Sequence, residues 1–212
     1  MNRNIAVLVA GIAALGFASA SYAADLVIET PDASAIAEPA GGWDGLFIGT
    51  FGSYASGNIN VPADIDIKGW MLGVNAGANF TLADGIVAGV VGDLAWSNIT
   101  DDELIVPPGA FNINWTGSIR GRAGIEIGAF MPYMTAGIAF ANASLLSSDD
   151  GTEIGNNTHI GLTAGAGVEF KATDDLSVDV AYRFSDYGAL TYGNTDWDFT
   201  THQVTAGLNW SF

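Results

Sequence analysis

The sequence predicts an all-β fold, an eight-stranded antiparallel transmembrane β-barrel with short periplasmic turns and four long external loops. Eight segments after residue 43 alternate apolar side chains with small or polar ones, as strands with one face in lipid do. Hydrophobic residues make up 49% of the chain. Even so, no apolar run of about 18 residues, the length of a membrane-spanning helix, follows residue 23. Because only helices and closed barrels satisfy every backbone hydrogen bond in lipid, we expect a barrel.

The first 23 residues have the layout of a secretory signal peptide. Met1–Asn4 carries one arginine, residues 5–17 are apolar, and Ser21 and Ala23 are small residues around a cleavage site. The apolar run is shorter than the roughly 20 residues that a helix needs to span a bilayer, which argues against a membrane anchor. We therefore expect an exported chain whose mature form begins at Ala24.

Charge and composition exclude several classes of function. The formal net charge is −17, and loss of Arg3 with the signal peptide would lower it by one further unit. Nucleic acid is therefore not expected as a partner, because phosphate binding needs clustered Lys and Arg. The absence of Cys excludes disulfides and thiolate metal sites. Residues 24–42 are acidic with two prolines and are predicted to form a flexible lead-in, which leaves residues 43–212 for the barrel.

The first four predicted strands each have an apolar face that we assign to lipid. In the first strand, residues 45–54, two faces compete, and we favour the face that carries Leu46, Ile48 and Tyr54. The other three strands are clearer, with aromatic residues at their ends as interfacial girdles require. Their outward residues are Trp70, Leu72, Val74, Ala76, Ala78 and Phe80; then Ile86, Ala88, Val90, Leu94 and Trp96; then Trp115, Ile119, Ala123, Ile125 and Ile127.

The last four predicted strands repeat the pattern up to the last residue. Pro132 immediately precedes the fifth strand, residues 133–141, and a proline is tolerable at a strand start. The outward residues are Met134, Ile138 and Phe140; Ile160, Leu162, Ala164, Val168 and Phe170; Leu176, Val178, Val180, Tyr182 and Phe184; and Val204, Ala206, Leu208, Trp210 and Phe212. Trp210 and Phe212, at the end of the eighth strand, are predicted to form an assembly signal in the periplasmic girdle.

The connections between these strands alternate in length, which is independent support for the barrel. Three are short, residues 81–85, 128–131 and 171–175, and four are long, residues 55–66, 98–112, 142–157 and 186–198. Short periplasmic turns and long external loops are typical of outer-membrane barrels. A soluble lipocalin-like or streptavidin-like barrel is the alternative, but it would place apolar side chains inside and charges outside.

All three arginines of the mature chain fall on inward faces of the predicted strands. Positions counted along the strands put Asp93, Arg120 and Arg183 at a similar height. Three further residues complete or border this lumen charge layer. They are Arg122 and, nearer the periplasmic end, Glu126 and Asp179. Since an eight-stranded barrel is only wide enough for its own side chains, we expect these charges to pair. The hypothesis is that they plug the barrel, and the alternative is a structural network without gating.

No catalytic, cofactor or metal site is predicted. Acidic residues in or beside the long loops would bind divalent cations or a receptor, or simply favour solubility, and we prefer the second interpretation. These residues are Asp64, Asp66, Asp101, Asp102, Glu103, Asp149, Asp150, Glu153, Asp186, Asp196 and Asp198. The histidines, His159 and His202, are interpreted as girdle or rim residues rather than haem ligands or catalytic bases.

Four stretches carry a family resemblance over residues 43–212. They are WDGLFIGTFGSYASG from Trp43, GSIRGRAGIEIGAFMPYMTAGIAFA from Gly117, DLSVDVAYRFSDYG from Asp175, and the final HQVTAGLNWSF. Together they resemble small outer-membrane β-barrel proteins of alphaproteobacteria, a porin-like family that includes major surface antigens and haemin-binding members. The resemblance implies an integral outer-membrane protein, inserted by the barrel-assembly machinery through its last strand, with a role in envelope integrity or host contact.

These observations together predict a multi-pass protein of the Gram-negative outer membrane without enzymatic activity or cofactor. Its function is expected to be structural, in envelope integrity, and interactive at the cell surface. The expected partners are outer-membrane lipid and lipopolysaccharide, the barrel-assembly machinery, and host or surface ligands, with the chain a monomer or weak homo-oligomer. The alternatives are a narrow passive pore, a haemin-binding or haemin-transport protein, and an outer-membrane enzyme.

Overall fold

A computed structural model describes residues 42–60, 65–83, 85–101, 111–146, 153–192 and 195–212. These residues form eight antiparallel strands, which confirms the predicted fold class. The strands are β1 (Gly45–Asn60), β2 (Ile65–Ala83), β3 (Ile86–Asp101), β4 (Phe111–Ile125), β5 (Phe130–Leu146), β6 (Glu153–Lys171), β7 (Leu176–Tyr192) and β8 (Thr195–Ser211). No helix among the described residues is long and apolar enough to span a membrane.

The sheet closes on itself, with every strand paired to its neighbours in chain order. β8 completes the circle by pairing with β1, where Phe47 lies opposite Ser211 and Tyr54 lies opposite Val204. Closure pairs each strand with a neighbour on both sides, as strands surrounded by lipid require. Among the described residues, the pairing of β6 with β7 runs from Gly161 to Lys171 and does not extend to the hairpin end of β6. We call the end that holds Gly45 and Phe212 the terminal end, and the opposite end the hairpin end.

Tight turns connect the strands at the terminal end, as predicted from the short connections. Gly85 lies between β2 and β3 with φ of 78°, and Gly128 lies between β4 and β5 with φ of 60°. Both angles are in the left-handed region that glycine adopts without a steric penalty. A side chain at either position would strain the turn.

The outer wall is apolar over the part of the barrel nearer the terminal end. Leu46 and Ile48 are 64% and 53% exposed, whereas Phe47 and Phe51 of the same strand are buried inside. The structure therefore confirms the face that we favoured for β1. The inward face is occupied by these two aromatic rings because glycines on β2 leave room for them. A Cβ at Gly77 would lie 2.4 Å from Phe47 Cζ.

Two aromatic rows border this apolar wall, which we call the membrane band. Tyr54, Trp70 and Trp96 are exposed at its hairpin side, and Phe80, Phe130, Trp210 and Phe212 are exposed at its terminal side. Their positions are those of the interfacial girdles of a transmembrane barrel. The predicted outward faces of the eight strands thus describe the membrane band correctly.

The strands continue beyond the membrane band into segments that the sequence predicted as loops. β1 runs to Asn60 rather than to residue 54, and β5 runs to Leu146 rather than to residue 141. The external connections are therefore shorter than predicted. β7 and β8, for example, are separated only by residues 193–194. Asp64, Asp102, Glu103, Asp149 and Asp150 of the predicted acidic loops lie outside the described residues.

The physical reason is that the strand pattern continues beyond the girdle with its polarity reversed. In this hairpin-end extension, Ile59, Ile113 and Phe199 point inward and are each 1% exposed. Asn58 and Asn114 point outward and are exposed. Outside lipid, apolar side chains gain by facing the interior. A polar outer face reads as a loop in sequence, although the backbone remains a strand.

The barrel interior consequently has two layers. The hairpin-end core is an apolar cluster, formed by Phe51, Ala55, Ile59, Ile67, Met71, Ala95, Ile99, Ile113, Ala139, Ala141, Ala143, Tyr187 and Phe199. The rings of Tyr187 and Phe199 stack within it at 4.4 Å between centroids. The other layer lies within the membrane band and is polar and charged.

Candidate functional site

One buried carboxylate in the lumen is shared by two arginines from different strands. Asp93 on β3 lies opposite Ser118 on β4 and points inward. Its Oδ2 is 2.6 Å from Arg120 Nη2 and 3.0 Å from Arg183 Nη1. The Asp93 side chain is 2% exposed. The structure thus brings together Asp93, Arg120 and Arg183, the three residues that counting placed at one height.

Hydrogen bonds with neutral side chains hold these arginines in place. Ser118 Oγ donates to the same carboxylate oxygen and accepts from Arg120 Nε at 2.8 Å. Arg183 donates from Nε and Nη2 to Gln203 Oε1, at 3.0 and 2.6 Å. Gln203 Nε2 in turn donates to Ser53 Oγ at 2.9 Å. The network therefore ties β1, β3, β4, β7 and β8 together across the lumen.

A second charged set lies nearer the terminal end. Arg122 on β4 forms a buried ion pair with Glu169 on β6. The other carboxylate oxygen of Glu169 accepts from Ser177 Oγ and from Asn209 Nδ2, the latter at 2.7 Å. With three donors on its two oxygens, the carboxylate regains hydrogen bonds that it loses on leaving water.

Tyr133 connects this set to another acid. Its ring lies under the Arg122 guanidinium, and the distance from Arg122 Cζ to the centroid of the Tyr133 ring is 3.9 Å. Its hydroxyl donates to Asp179 Oδ2 at 2.6 Å. Cation–π contacts of this kind are more favourable when desolvated. Asp179 thus joins the network through Tyr133, and no ion pair is recorded for it among the described residues.

Two residues near the terminal end differ from the predicted charge layer. Glu126 follows the end of β4 in a turn, where its backbone N–H donates to Gly85 O, and it has no ion pair in the described part of the chain. Glu126 lies outside the strand because β4 ends at Ile125, two residues before the predicted end at Ile127. Glu169 was placed on an inward face but not in the layer. Its pairing with Arg122 depends on the stagger of the strands, which counting along β4 and β6 does not give.

Glycines directly across from the arginines let the neighbouring strands pack closely. Arg120 lies opposite Gly137, Arg122 opposite Gly89, and Arg183 opposite Gly165. A Cβ at Gly137 would lie 2.6 Å from Arg120 Cα. A glycine in a strand interior often marks a close approach of this kind. The many glycines of the chain therefore help to fit long charged side chains into a narrow barrel.

The charged network divides the remaining interior space into two small cavities. Asp93 and Arg183 line both of them. The cavity on the terminal side has a volume of about 50 Å³ and is also lined by Arg122 and Asp179. The cavity on the hairpin side has a volume of about 10 Å³. The terminal-side cavity has room for a few water molecules, since one water needs a cavity volume of roughly 10–15 Å³.

Trp43 closes the interior at the terminal end. It is 5% exposed and clusters with Val87 and Met131. Lys171 Nζ lies 5.0 Å from the centroid of the Trp43 ring and donates to Gly42 O at 2.6 Å. The chain just before β1 therefore fills the mouth of the barrel at this end.

The histidines and the C-terminal aromatic residues occupy different environments. His159 is buried inside, with its ring 5.0 Å from Phe199, which corrects its assignment to the rim. His202 faces outward beside Phe184, where a girdle residue was predicted. Trp210 and Phe212 are exposed at the terminal girdle. Their role in assembly stays a prediction. No cluster of metal-binding side chains occurs among the described residues.

Comparisons with known proteins agree with this geometry. The family described as outer membrane protein beta-barrel domain matches residues 10–212. The 25 kDa outer-membrane immunogenic protein of Brucella abortus biovar 1 (strain 9-941) is 33% identical over 217 residues, which cover 97% of each chain. The 22 kDa outer membrane protein of Rhizobium leguminosarum bv. viciae is 34% identical over 180 residues, which cover 82% of this chain and 81% of that protein.

A solved structure supports the fold independently. The crystal structure of Neisserial surface protein A has a TM-score of 0.52 and 18% sequence identity, and the match covers 78% of this chain and 97% of that chain. At this level of identity the likeness concerns the fold alone.

Proposed function

The chain belongs to the outer membrane protein β-barrel family, and from this premise we propose that it is a structural barrel with a sealed lumen. It resides in the outer membrane of a Gram-negative cell. In this proposal the barrel contributes to envelope integrity and presents its hairpin-end extension at the cell surface. The terminal end, which holds both ends of the barrel chain, faces the periplasm.

The observation that carries the proposal is the shared carboxylate of Asp93. It joins Arg120 and Arg183 across the lumen, with cavities of only about 50 and 10 Å³ on its two sides. Opening the lumen would separate one charged side chain of this set from its partners. Because the charge left behind would be buried and uncompensated, spontaneous opening is unfavourable. The apolar hairpin-end core and Trp43 supply further closures above and below it.

The same dimensions argue against the two transport alternatives. Ligand sites for molecules of drug size usually have volumes of roughly 300–1,000 Å³, far above those of the two interior cavities. Haemin therefore does not fit inside the described barrel without rearrangement. A passive pore would need the ion pairs, the apolar core and Trp43 to move together.

We also propose a non-enzymatic role. The curated relatives are named as outer-membrane or immunogenic proteins, and none of those names states a reaction. The arginines inside the barrel are engaged with neighbouring side chains, for example Arg183 with Asp93 and Gln203. These pairings are suited to holding strands together rather than to binding a substrate.

Single-channel recording of the refolded protein in planar bilayers tests the sealed lumen. We expect the wild-type protein to show no stable large conductance. Arg120→Ala or Arg183→Ala should increase the frequency of opening, because each leaves the Asp93 carboxylate with one guanidinium in place of two. Asp186→Ala, a change at an exposed carboxylate on the same strand as Arg183, is the matched control and should behave as wild type.

A stable, large open conductance of the wild-type protein would overturn the proposal. Envelope support is tested separately with a deletion strain, which should become more sensitive to detergent. Complementation with the Arg183→Ala variant distinguishes support from transport, since a purely structural role needs the folded barrel and not a particular conductance. Unchanged detergent sensitivity of the deletion strain would refute the envelope role.

A further inference from the structure

Positive side chains are distributed very unevenly over the barrel. The chain has six Lys and Arg residues, and Arg3 precedes the described part. The three arginines lie in the lumen, and Lys171 is buried at the terminal end. Lys68 is therefore the one Lys or Arg on the outer wall of the described barrel, where it is exposed.

His202 is the second outward group that can carry a positive charge, and it lies in the same row as Lys68. Ser56 on β1 is paired directly with Lys68 on β2 and with His202 on β8. All three residues occupy outward positions, since Ala55, the next residue along β1, is buried inside. Neighbouring strands lie about 4.7–4.9 Å apart, so the row spans about 10 Å. A hydroxyl group thus stands between two cationic or donor groups.

The height of this row on the barrel is fixed by the aromatic girdle. Tyr54 and Trp70 are the outward residues immediately below Ser56 and Lys68, and their rings are in edge contact at 5.0 Å between centroids. Girdle aromatics sit at the level of the lipid headgroups. The row therefore lies at the headgroup level at the hairpin side of the membrane band. This is the outer leaflet when the hairpin end faces the cell surface, as proposed above.

His202 contacts two outward residues of β7, the strand that flanks β8 on the side opposite Ser56. Its Nδ1 is 2.6 Å from the Tyr182 hydroxyl, and its ring lies 5.1 Å from that of Phe184. When the Tyr182 hydroxyl donates to Nδ1, the ring proton is on Nε2, because the hydrogen bond of one ring nitrogen determines which nitrogen is protonated. Neutral His202 then presents an N–H donor, and protonated His202 adds a positive charge.

The surrounding acids favour an anion at this row rather than farther from the membrane. Asp66 lies one outward position beyond Lys68 on β2, where its Oδ1 accepts from Asn58 Nδ2 at 2.5 Å. Asp186 is exposed one outward position beyond Phe184 on β7. An anionic group would be repelled at the level of these carboxylates and attracted at the level of Lys68 and His202.

We propose that Lys68, Ser56 and His202 bind the phosphorylated headgroup of an outer-leaflet glycolipid. Lys68 supplies the charge, while the Ser56 hydroxyl and His202 Nε2–H donate hydrogen bonds to phosphate oxygens. Tyr54 and Trp70 contact the acyl chains of the same lipid below. The site holds the lipid as a bound boundary molecule, and it is independent of whether the lumen is sealed.

The test uses the refolded full barrel in detergent, titrated with diphosphorylated lipid A and followed by native mass spectrometry. The double variant Lys68→Gln/His202→Gln should bind at least about tenfold more weakly, since a Lys near an anionic lipid contributes about fivefold in affinity and loss of the His202 hydrogen bond costs about a further twofold or more. Ser56→Ala should have a smaller effect in the same direction. Asn114→Ala/Asn142→Ala, on the opposite part of the outer wall, is the matched control and should bind as wild type.

Further measurements test which chemical group is bound and whether each variant is folded. Dephosphorylated lipid A should bind the wild-type protein and the double variant equally, and inorganic phosphate alone should not displace the lipid. A heat-dependent shift in gel mobility verifies that each variant is folded. Equal affinity of the wild-type protein and the double variant for diphosphorylated lipid A overturns the proposal, as does an equal loss in the asparagine control. Displacement by millimolar phosphate would overturn it in favour of a free-anion site.

Discussion

The membrane band and the hairpin-end extension are built from the same eight strands with opposite polarity. In the band, Leu72 and Leu162 are exposed on the outer wall at 68% and 72%, and ion pairs occupy the interior. In the extension, Ile99 and Ile113 fill the interior, while asparagines such as Asn98 cover the outer wall. All eight strands continue across the change, and so does their pairing, except that β6 in the described part of the chain pairs with β7 only from Gly161 onward.

This difference shows that the surroundings, rather than the backbone, determine which face of a strand is apolar. Lipid accepts apolar side chains on the outer wall, so the inside of the band is left to polar and charged groups. Beyond the girdle the outer wall meets water and headgroups, so the apolar face turns inward as in a soluble barrel. One chain therefore contains both kinds of barrel, joined at the row of Tyr54, Trp70 and Trp96.

The charged interior of the band should respond most strongly to substitution. Asp93→Ala leaves Arg120 and Arg183 without their shared carboxylate, and breaking a buried ion pair in this way costs about 3–5 kcal/mol of unfolding free energy. Urea unfolding in lipid vesicles, followed by tryptophan fluorescence, measures the loss. Asp186→Ala removes an exposed carboxylate and should change stability by less than about 0.5 kcal/mol. Equal effects of the two substitutions would show that the network is not a stabilising unit.

The interior of the extension should behave like a soluble core. Ile113→Ala removes a side chain that is 1% exposed and should cost about 2–5 kcal/mol. On the same strand, Ile119 is 60% exposed in the membrane band, so Ile119→Ala creates no interior cavity and should cost clearly less. Protease sensitivity of the hairpin end, measured beside the unfolding free energy, reports whether the loss is local. A larger loss for Ile119→Ala would contradict the two-layer description.

The two outer walls should differ in their tolerance of charge. Val90→Lys places a charge near the middle of the membrane band and should cost about 2–4 kcal/mol. Asn114→Lys makes the same addition on the outer wall of the extension and should change stability by less than about 0.5 kcal/mol. Both residues are exposed in the structure. Similar costs at the two sites would mean that lipid covers the extension as well.

Much of the band could be predicted because lipid imposes a strict pattern on it. The outward positions of Trp70, Val90 and Met134 follow from alternation alone, since each strand must show an apolar face. The extension was harder to predict, because Asn- and Ser-containing segments such as Asn142–Ser144 of β5 are also typical of loops. Their inward alanines and isoleucines are too few for a clear strand signal.

The sequence predicts most of the residues that line the candidate site, but only some of the contacts between them. Alternation places Arg120, Arg122 and Glu169 inside. The pairs depend on the stagger between neighbouring strands. Because of this stagger, two residues that are equally far from the ends of their strands can lie at different heights along the barrel axis. Arg122 thus meets Glu169 of β6 across the lumen, and Tyr133 meets Asp179 of β7. Asp93 was correctly grouped with its arginines because counts on three strands agreed.

The sequence by itself determined the fold class, the family and the lipid-facing surface, because these depend on the period of two along each strand and on local turn residues. The tertiary structure decided which side chains of different strands lie next to one another. Closure of β8 on β1 places His202 beside Ser56 and Lys68, and the stagger of the strands brings Arg183 to Asp93. Contacts between residues so distant in the chain are set by register around the closed barrel, and a strand's own sequence does not contain that register.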